Sequence, residues 1–109
     1  METFERLAPF LRKAGVVVVG RERLIQLRKR LAYILVTTDL SENSRQMVLD
    51  TFPCPVYQGL SSEDIERLLG FQGTKLVGFR RSPLANSVLP DLRPYLLKDK
   101  REKKREKKD

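Results

Sequence analysis

The chain has 109 residues, a net charge of +8, no His, no Trp and a single cysteine, Cys54. This length fits one domain, since two would each be too small to bury an adequate core. The absence of His excludes imidazole bases, Ser-His and Cys-His pairs, and the usual zinc and iron sites. Catalysis by carboxylates or lysines remains open.

One thiol cannot form an internal disulfide, which favours a reducing, cytoplasmic location. The longest apolar run is residues 16–19, far below the roughly 20 residues that a membrane-spanning helix needs. The basic N-terminal segment lacks the apolar core of a signal peptide. We therefore expect neither secretion nor a membrane partner.

The positive charge is unevenly distributed. Residues 6–30 hold eight Lys and Arg against Glu22 alone, a net charge of +7, whereas residues 39–66 carry −5 and residues 98–109 carry +4. A single Arg is most simply explained as a solvated surface charge. That explanation is weaker for the whole block 6–30, because it contains eight basic residues and only one acid. The separation indicates a polyanion bound on one side of the molecule.

The first predicted helix covers residues 3–14 and ends at Gly15, which is suited to a C-terminal cap. Pro9 lies inside this pattern. Either the helix kinks there, or its regular part begins near Ala8.

Strands and helices then alternate along the chain. Strands are predicted at 16–19, 32–38, 56–58 and 75–79. Helices are predicted at 21–30, from a Ser41 cap to 51, from a Ser61 or Ser62 cap to Gly70, and at 82–89. This alternation predicts a single-domain α/β protein, a three-layer α/β/α sandwich with helices on both faces of one sheet.

The end of the chain differs in composition from the rest. After Pro90 and Pro94, residues 95–97 are expected to dock back on the body. Residues 98–109 consist of Lys, Arg, Glu and Asp only, which predicts a disordered basic tail or a solvated single helix. The predicted domain is therefore 1–97 and the predicted tail 98–109.

Local motifs suggest sites without defining one. The turn at Gly20 and Arg21 could attract an anion or be an ordinary tight turn. Asp39 follows a strand and could orient a ligand, but no second acid or lysine can be paired with it, which favours a role in its turn.

Cys54, between two prolines, is expected to be a small apolar side chain that fills space in the core. The loop 72–74 could present polar groups and bare backbone to a ligand, or be a simple connection.

The order of several motifs is more informative than any one of them. They are Phe-Leu-Arg-Lys-Ala-Gly at 10–15, Val-Val-Gly at 18–20, Asp-Leu-Ser-Glu-Asn-Ser-Arg at 39–45, Pro-Val-Tyr at 55–57 and Leu-Val-Gly-Phe at 76–79. The set resembles the kink-turn-binding ribosomal-protein superfamily, and most of all its bacterial YlxQ branch. The resemblance covers about residues 5–90, and the segment 39–45 is its most specific part.

The resemblance implies a four-stranded mixed sheet and RNA held by three loops at one edge. These loops are the start of the second helix, the turn after the second strand and the loop before the last strand. The implied RNA-binding residues are Gly20, Arg21, Glu22, Arg23, Gln26, Thr38, Asp39, Gln72, Gly73 and Thr74. The implied partners are structured RNA, foremost ribosomal RNA, and the ribosome or other translation proteins. No catalytic residue, metal or cofactor is implied.

Three positions depart from the superfamily's pattern Gly-x-Asn-Glu-x-x-Lys. Glu22 stands at the Asn position, Arg23 at the Glu position and Gln26 at the Lys position. In the superfamily the Asn and Glu read sheared G·A pairs, so the departures affect kink-turn specificity more than general RNA binding. Arg21 and Arg23 still offer charge to phosphates.

The expected function is non-catalytic, cytoplasmic binding of structured RNA. One alternative is a protein-interaction module on the same fold, whose RNA edge has degenerated at Glu22 and Gln26. Another is a metal-dependent hydrolase or nuclease using Asp39. That second alternative is the weaker, because a two-metal site needs several convergent carboxylates and only one can be placed near the loop.

Overall fold

The computed structural model describes residues 1–99. The helices in this part of the chain are α1 (Glu2–Lys13), α2 (Arg21–Gln26), α3 (Glu42–Thr51), α4 (Ser62–Leu69), α5 (Pro83–Ser87) and α6 (Leu89–Leu92). The strands are β1 (Val17–Val19), β2 (Leu31–Thr37), β3 (Val56–Leu60), β4 (Leu76–Arg80) and β5 (Leu96–Lys98), the last preceded by a 3-10 turn (Arg93–Tyr95). No helix within residues 1–99 is long and apolar enough to cross a membrane.

The strands form one mixed sheet in the order β1-β4-β2-β3-β5. Strands β2 and β3 are parallel, and the other neighbours are antiparallel. The described sheet thus has five strands, and the expected four-stranded sheet is wrong. The additional strand, β5, pairs Leu96 with Tyr57 and Lys98 with Val56 of β3. Leu96 and Leu97 belong to the segment 95–97, for which only docking on the body is expected, and Lys98 is the first residue of the predicted tail.

Helices cover both faces of the sheet, because successive side chains of β2 point to opposite sides. Tyr33 and Leu35 belong to the core that includes buried residues of α1, α4, α5 and α6. Ile34 and Val36 belong to the core formed with α2 and α3. All four side chains are buried, so β2 is apolar on both faces, as a central strand must be. The predicted α/β class is confirmed.

Helix α1 continues through Pro9 from Glu2 to Lys13. A regular helix beginning only near Ala8 is therefore wrong. Phe4 and Leu11 are buried on its inner face. The backbone N–H of Phe4 donates to Asp91 Oδ2 at 2.9 Å, and this bond satisfies one of the free N–H groups of the first turn. It also lowers the pKa of Asp91.

The cap signals in the sequence correctly located three helix starts, those of α3, α4 and α5. Ser61 Oγ accepts from the Asp64 N–H at 3.1 Å, and Asp64 Oδ2 accepts from the Ser61 N–H at 3.2 Å, which completes a capping box. The Ser61 N–H bond is the main cause of a lowered pKa at Asp64. Ser82 Oγ accepts from the Leu84 and Ala85 N–H groups at the start of α5.

Two predicted helices are shorter than expected. The predicted helix 82–89 is divided into α5 and α6, because Pro90 has no N–H to continue the bonding pattern. The predicted helix 21–30 ends at Gln26, and residues 27–30 form turns that lead directly into β2.

Lys98, the first residue of the predicted tail, is the last residue of β5. Its Nζ donates to the backbone carbonyl of Leu49 at 2.7 Å and to that of Phe52. Carbonyls at a helix C-terminus lack intrahelical partners, and an ammonium group can satisfy them. The folded part therefore includes Lys98, and the remainder of the predicted tail from residue 100 lies outside the described residues.

Candidate nucleic-acid interface

A cavity of about 360 Å³ opens where β2 ends and β4 begins. Three segments that are distant in sequence line it. These are Gly20 and Arg21 at the start of α2, Leu40, Ser44, Met47 and Val48 from the turn after β2 and from α3, and Gly73, Thr74, Lys75 and Leu76 before and at the start of β4. We call it the edge cavity.

Gly20 makes the abrupt turn from β1 into α2. Its φ is 98° and its ψ is 119°, a combination that residues with a Cβ rarely adopt. One residue therefore separates the strand from the helix, and Arg21 is an exposed residue on the wall of the cavity. The glycine thus places bare backbone and a cation side by side.

The loop before β4 is held from two directions. The Arg12 guanidinium lies 5.7 Å from the centre of the Phe71 ring, in cation–π geometry. At the other end, the Thr37 N–H donates to the Lys75 carbonyl at 3.0 Å. Between these anchors Gly73 has a φ of 71°, so the chain turns sharply and presents Thr74 to the cavity.

Asp39 is bound to residues of two other segments. Its Oδ1 accepts from the Ser62 N–H at 3.1 Å and its Oδ2 from the Ser62 hydroxyl at 2.6 Å. The bond from the Ser62 side chain is the main reason that the pKa of Asp39 falls to about 2. Lys75 Nζ lies 3.8 Å from Asp39 Oδ2. The expectation that no lysine could be paired with Asp39 is wrong, because the fold brings the loop before β4 beside the turn after β2.

The structure brings some of the predicted RNA-binding residues together and leaves others apart. Gly20, Arg21, Gly73 and Thr74 line the edge cavity. The others that were named lie outside its lining: Glu22, Arg23, Gln26, Thr38, Asp39 and Gln72. All six are exposed, and the Thr38 backbone N–H donates to the Leu60 carbonyl at 2.7 Å.

The cavity also contains residues that sequence reasoning missed. Lys75 had been assigned to the strand, although it directly follows the loop 72–74 that was singled out. Ser44 and Met47 lie on α3, which Ser41 caps by accepting from the Ser44 N–H at 3.2 Å. The signal for Ser44 was its place in the segment 39–45, the most specific part of the family resemblance.

The lining of the edge cavity combines positive charge, hydroxyl groups and apolar surface. Arg21 and Lys75 supply positive charge, Thr74 and Ser44 supply hydroxyl groups, and Met47 contributes apolar surface. Among residues 1–99, no group of three or more acidic or cysteine side chains is close enough to hold a metal ion.

Comparison with known proteins identifies a shared fold. No protein-family model and no curated protein matches the sequence. The chain is similar in structure to a protein with unknown function from Bacillus halodurans C, with a TM-score of 0.74. The two are 13% identical in sequence, and the match covers 83% of this chain and 96% of that one.

Proposed function

We propose that this protein binds structured RNA at the edge cavity, as a small non-catalytic protein of ribosomal type acting in the cytoplasm. The observation that carries the proposal is the convergence of segments on one cavity. Gly20 and Arg21, Leu40, and Gly73 and Thr74 come from the three loops at which the family resemblance would place RNA, and all five residues line it.

The residue types in this cavity suit an irregular RNA. Folded RNA presents unstacked bases and closely spaced phosphates, which are bound by exposed backbone, small polar side chains and cations. Gly20 and Gly73 have no side chain to block a close approach, while Arg21 can contact phosphates from the rim. Arg23, exposed on α2, would extend this contact beyond the cavity.

The proposal concerns structured RNA in general, with ribosomal RNA as the first candidate, rather than strict kink-turn recognition. Glu22 is a carboxylate where the superfamily has an amide, and it can only accept hydrogen bonds when ionised. Gln26 has no charge where the superfamily has a Lys. Both side chains are exposed, so they are available to RNA but offer different chemistry.

Binding measurements at several salt concentrations test this function. Ribosomal RNA and a kink-turn RNA are each compared with a random oligonucleotide of equal length by filter binding. We expect the structured RNAs to bind more tightly at physiological salt. Equal affinity for all three RNAs would contradict the proposal.

Charge reversal at the cavity tests where the RNA binds. Arg21→Glu combined with Arg23→Glu should weaken binding by about tenfold to a hundredfold and flatten the dependence on salt. A matched control, Arg6→Glu with Lys13→Glu, makes the same change in net charge on exposed positions of α1. Equal loss in both variants would mean that only bulk charge matters, and thermal melts followed by circular dichroism show whether each variant folds.

A protein-interaction module is the second candidate, and the apolar part of the cavity favours it. Leu40, Met47 and Leu76 are among the residues that line the cavity, and such apolar surface could accept an apolar side chain of a partner protein. Met47→Glu should then release a partner whose co-purification survives nuclease treatment. If nuclease treatment alone removes the partner, the two proteins are held together through RNA, and the result favours RNA binding.

A further inference from the structure

A second cavity, of about 350 Å³, lies at the opposite end of β2 and β4 from the edge cavity. Arg28, Lys29 and Arg81 form its cationic side. Its other lining side chains are apolar, with Leu31 and Cys54 buried among them. We call it the basic cavity.

The pairing of β2 with β4 brings together the two distant segments that form the cationic side of the basic cavity. Residues 28–30, Arg-Lys-Arg, occupy the turn between α2 and β2, and Arg80 and Arg81 stand at the end of β4. Leu31 pairs with Arg80 across the sheet, so the basic turn and the end of β4 lie side by side. Five cationic residues therefore surround one end of the sheet.

No described acid neutralises these five residues. Within residues 1–99, ion pairs join Arg45 to Glu42, Arg67 to Glu5 and Asp64, Lys75 to Asp39, and the N-terminal amine to Asp91. None involves a residue of 28–30, Arg80 or Arg81, and no acid lines the cavity. Like charges held together without counter-charges attract an anionic ligand.

Two of the guanidinium groups are held in place by the backbone. Arg28 Nη1 donates to the Ile25 carbonyl at 2.8 Å, and Arg81 Nη2 donates to the Lys29 carbonyl at 3.4 Å. Each guanidinium has five N–H donors, so donors remain for a ligand after these bonds form. A ligand thus meets side chains that have already lost part of their freedom.

We propose that the basic cavity is a nucleotide-binding site, with the phosphate on the cationic side and the base against the apolar wall of Leu31, Pro53 and Pro55. A bare phosphate would leave that wall unused, whereas a nucleotide combines an anion with a flat, weakly polar ring. Guanidinium planes can also stack on bases. The nucleotide is either free or one unit of an RNA chain, and the site does not depend on RNA binding at the edge cavity.

Cys54 provides a direct reporter, because it is the one cysteine of the chain and lines this cavity. The rate at which methyl methanethiosulfonate modifies Cys54 is measured at constant pH and ionic strength with uridine monophosphate or a short oligouridine RNA. A probe at about ten times its Kd should slow modification about tenfold, since only unoccupied protein reacts. Slowing by the monophosphate identifies a free nucleotide, and slowing by RNA alone identifies a unit of a chain.

Variants test whether the slowing of Cys54 modification arises from binding in the basic cavity. Lys29→Glu with Arg81→Glu should abolish the slowing, the milder Lys29→Gln with Arg81→Gln should reduce it, and Arg6→Glu with Lys13→Glu should retain it. Melts by circular dichroism identify any variant that does not fold. Modification that neither probe slows, or that inorganic phosphate alone slows as much, would overturn the proposal. Structured-RNA binding at the edge cavity is measured separately, so either proposal can fail without the other.

Discussion

Asp39 and Ser62 are joined by two hydrogen bonds across 23 residues of sequence, one to the Ser62 backbone and one to its hydroxyl. Ser62 is the first residue of α4, so the carboxylate satisfies an N–H at the start of a helix, where negative charge is favourable. The same carboxylate faces Lys75 of the loop before β4. One side chain thereby connects the turn after β2, the start of α4 and a wall of the edge cavity.

Replacing Asp39 by Asn should destabilise the fold in a pH-dependent way. The folded pKa of Asp39, about 2, is below the value of about 3.9 in an unfolded chain. Its ionised form therefore stabilises the fold above about pH 4, and that contribution is lost as the pH falls towards 2. Urea unfolding across this range should show the free energies of unfolding of the native chain and Asp39→Asn converging at low pH.

The control for this prediction is Glu66→Gln, which removes one negative charge from α4 without touching the Asp39–Ser62 pair. It reports the effect of net charge alone. A constant difference between native and Asp39→Asn protein from pH 7 to pH 2 would contradict the assigned role.

Gly78→Ala should destabilise the protein through overpacking. A Cβ at Gly78 would collide with Leu24 of α2 and approach Leu31 Cδ1 to 3.2 Å. Leu24 and Leu31 are buried, with exposed fractions of 0% and 2%, so neither can move into solvent. We expect a loss of about 1–3 kcal/mol in the free energy of unfolding, measured by urea titration.

Gly59→Ala is the matched comparison, because its Cβ would lie 2.7 Å from Tyr95 Cγ. Tyr95 is 40% exposed, so its ring can rotate outward, and only its Cβ, at 3.1 Å, requires a small shift of the backbone. We therefore expect a smaller loss than for Gly78→Ala. If the two variants are equally destabilised, rigidity around Gly78 is not the cause.

The elements that could be predicted from the sequence are those with strong local signals. The apolar run of β2 and the capping box of Ser61 and Asp64 identify their structures without reference to the rest of the chain. Strand β5 has no such signal, because it is three residues long, follows Pro94 and leaves Leu96 and Leu97 substantially exposed. Contacts with distant segments explain why it forms: pairing with the backbone of β3, and the bonds from Lys98 Nζ to the Leu49 and Phe52 carbonyls.

The residues of the candidate sites also fall into those that the sequence predicts and those that only the fold brings together. Gly20 and Gly73 could be identified because a turn needing a positive φ favours glycine, and the order of family motifs pointed to the same loops. Lys75 could not be paired with Asp39 in advance, since 36 residues separate them and only the sheet topology brings them close. The basic cavity cannot be predicted from the sequence for the same reason. The composition of residues 6–30 shows a basic block, but only the register of β2 and β4 brings Arg81 beside it.

Removing the hydroxyl of Tyr33 should destabilise the core and alter its response to alkali. The hydroxyl donates to the Ala85 carbonyl at 2.7 Å, and the ring stacks on Phe79. Tyr33→Phe should cost about 0.5–1.5 kcal/mol, the usual net value of such a bond. Burial raises the pKa of Tyr33 above its ordinary value of 10.

The unfolded chain therefore loses this proton first, and the stability that the neutral buried phenol contributes falls as the pH rises above about 10. Urea unfolding at increasing pH should show a steeper decline for the native chain than for Tyr33→Phe. Burial also raises the pKa of Cys54, to about 11, so both proteins should carry Cys54→Ala. Parallel declines would show that Tyr33 does not contribute to alkaline unfolding.

Asp39→Asn should also separate a structural role of this residue from a direct role in RNA binding. The substitution preserves the shape of the side chain but removes a negative charge 3.8 Å from Lys75 Nζ. If RNA phosphates contact Lys75, the variant should bind structured RNA about twofold to fivefold more tightly although its fold is less stable. If Asp39 instead accepts hydrogen bonds from the RNA, affinity should fall. Filter binding well below the melting temperature shows whether Asp39→Asn raises or lowers the affinity for RNA. Lys75→Ala removes the cation of the same pair and should weaken binding.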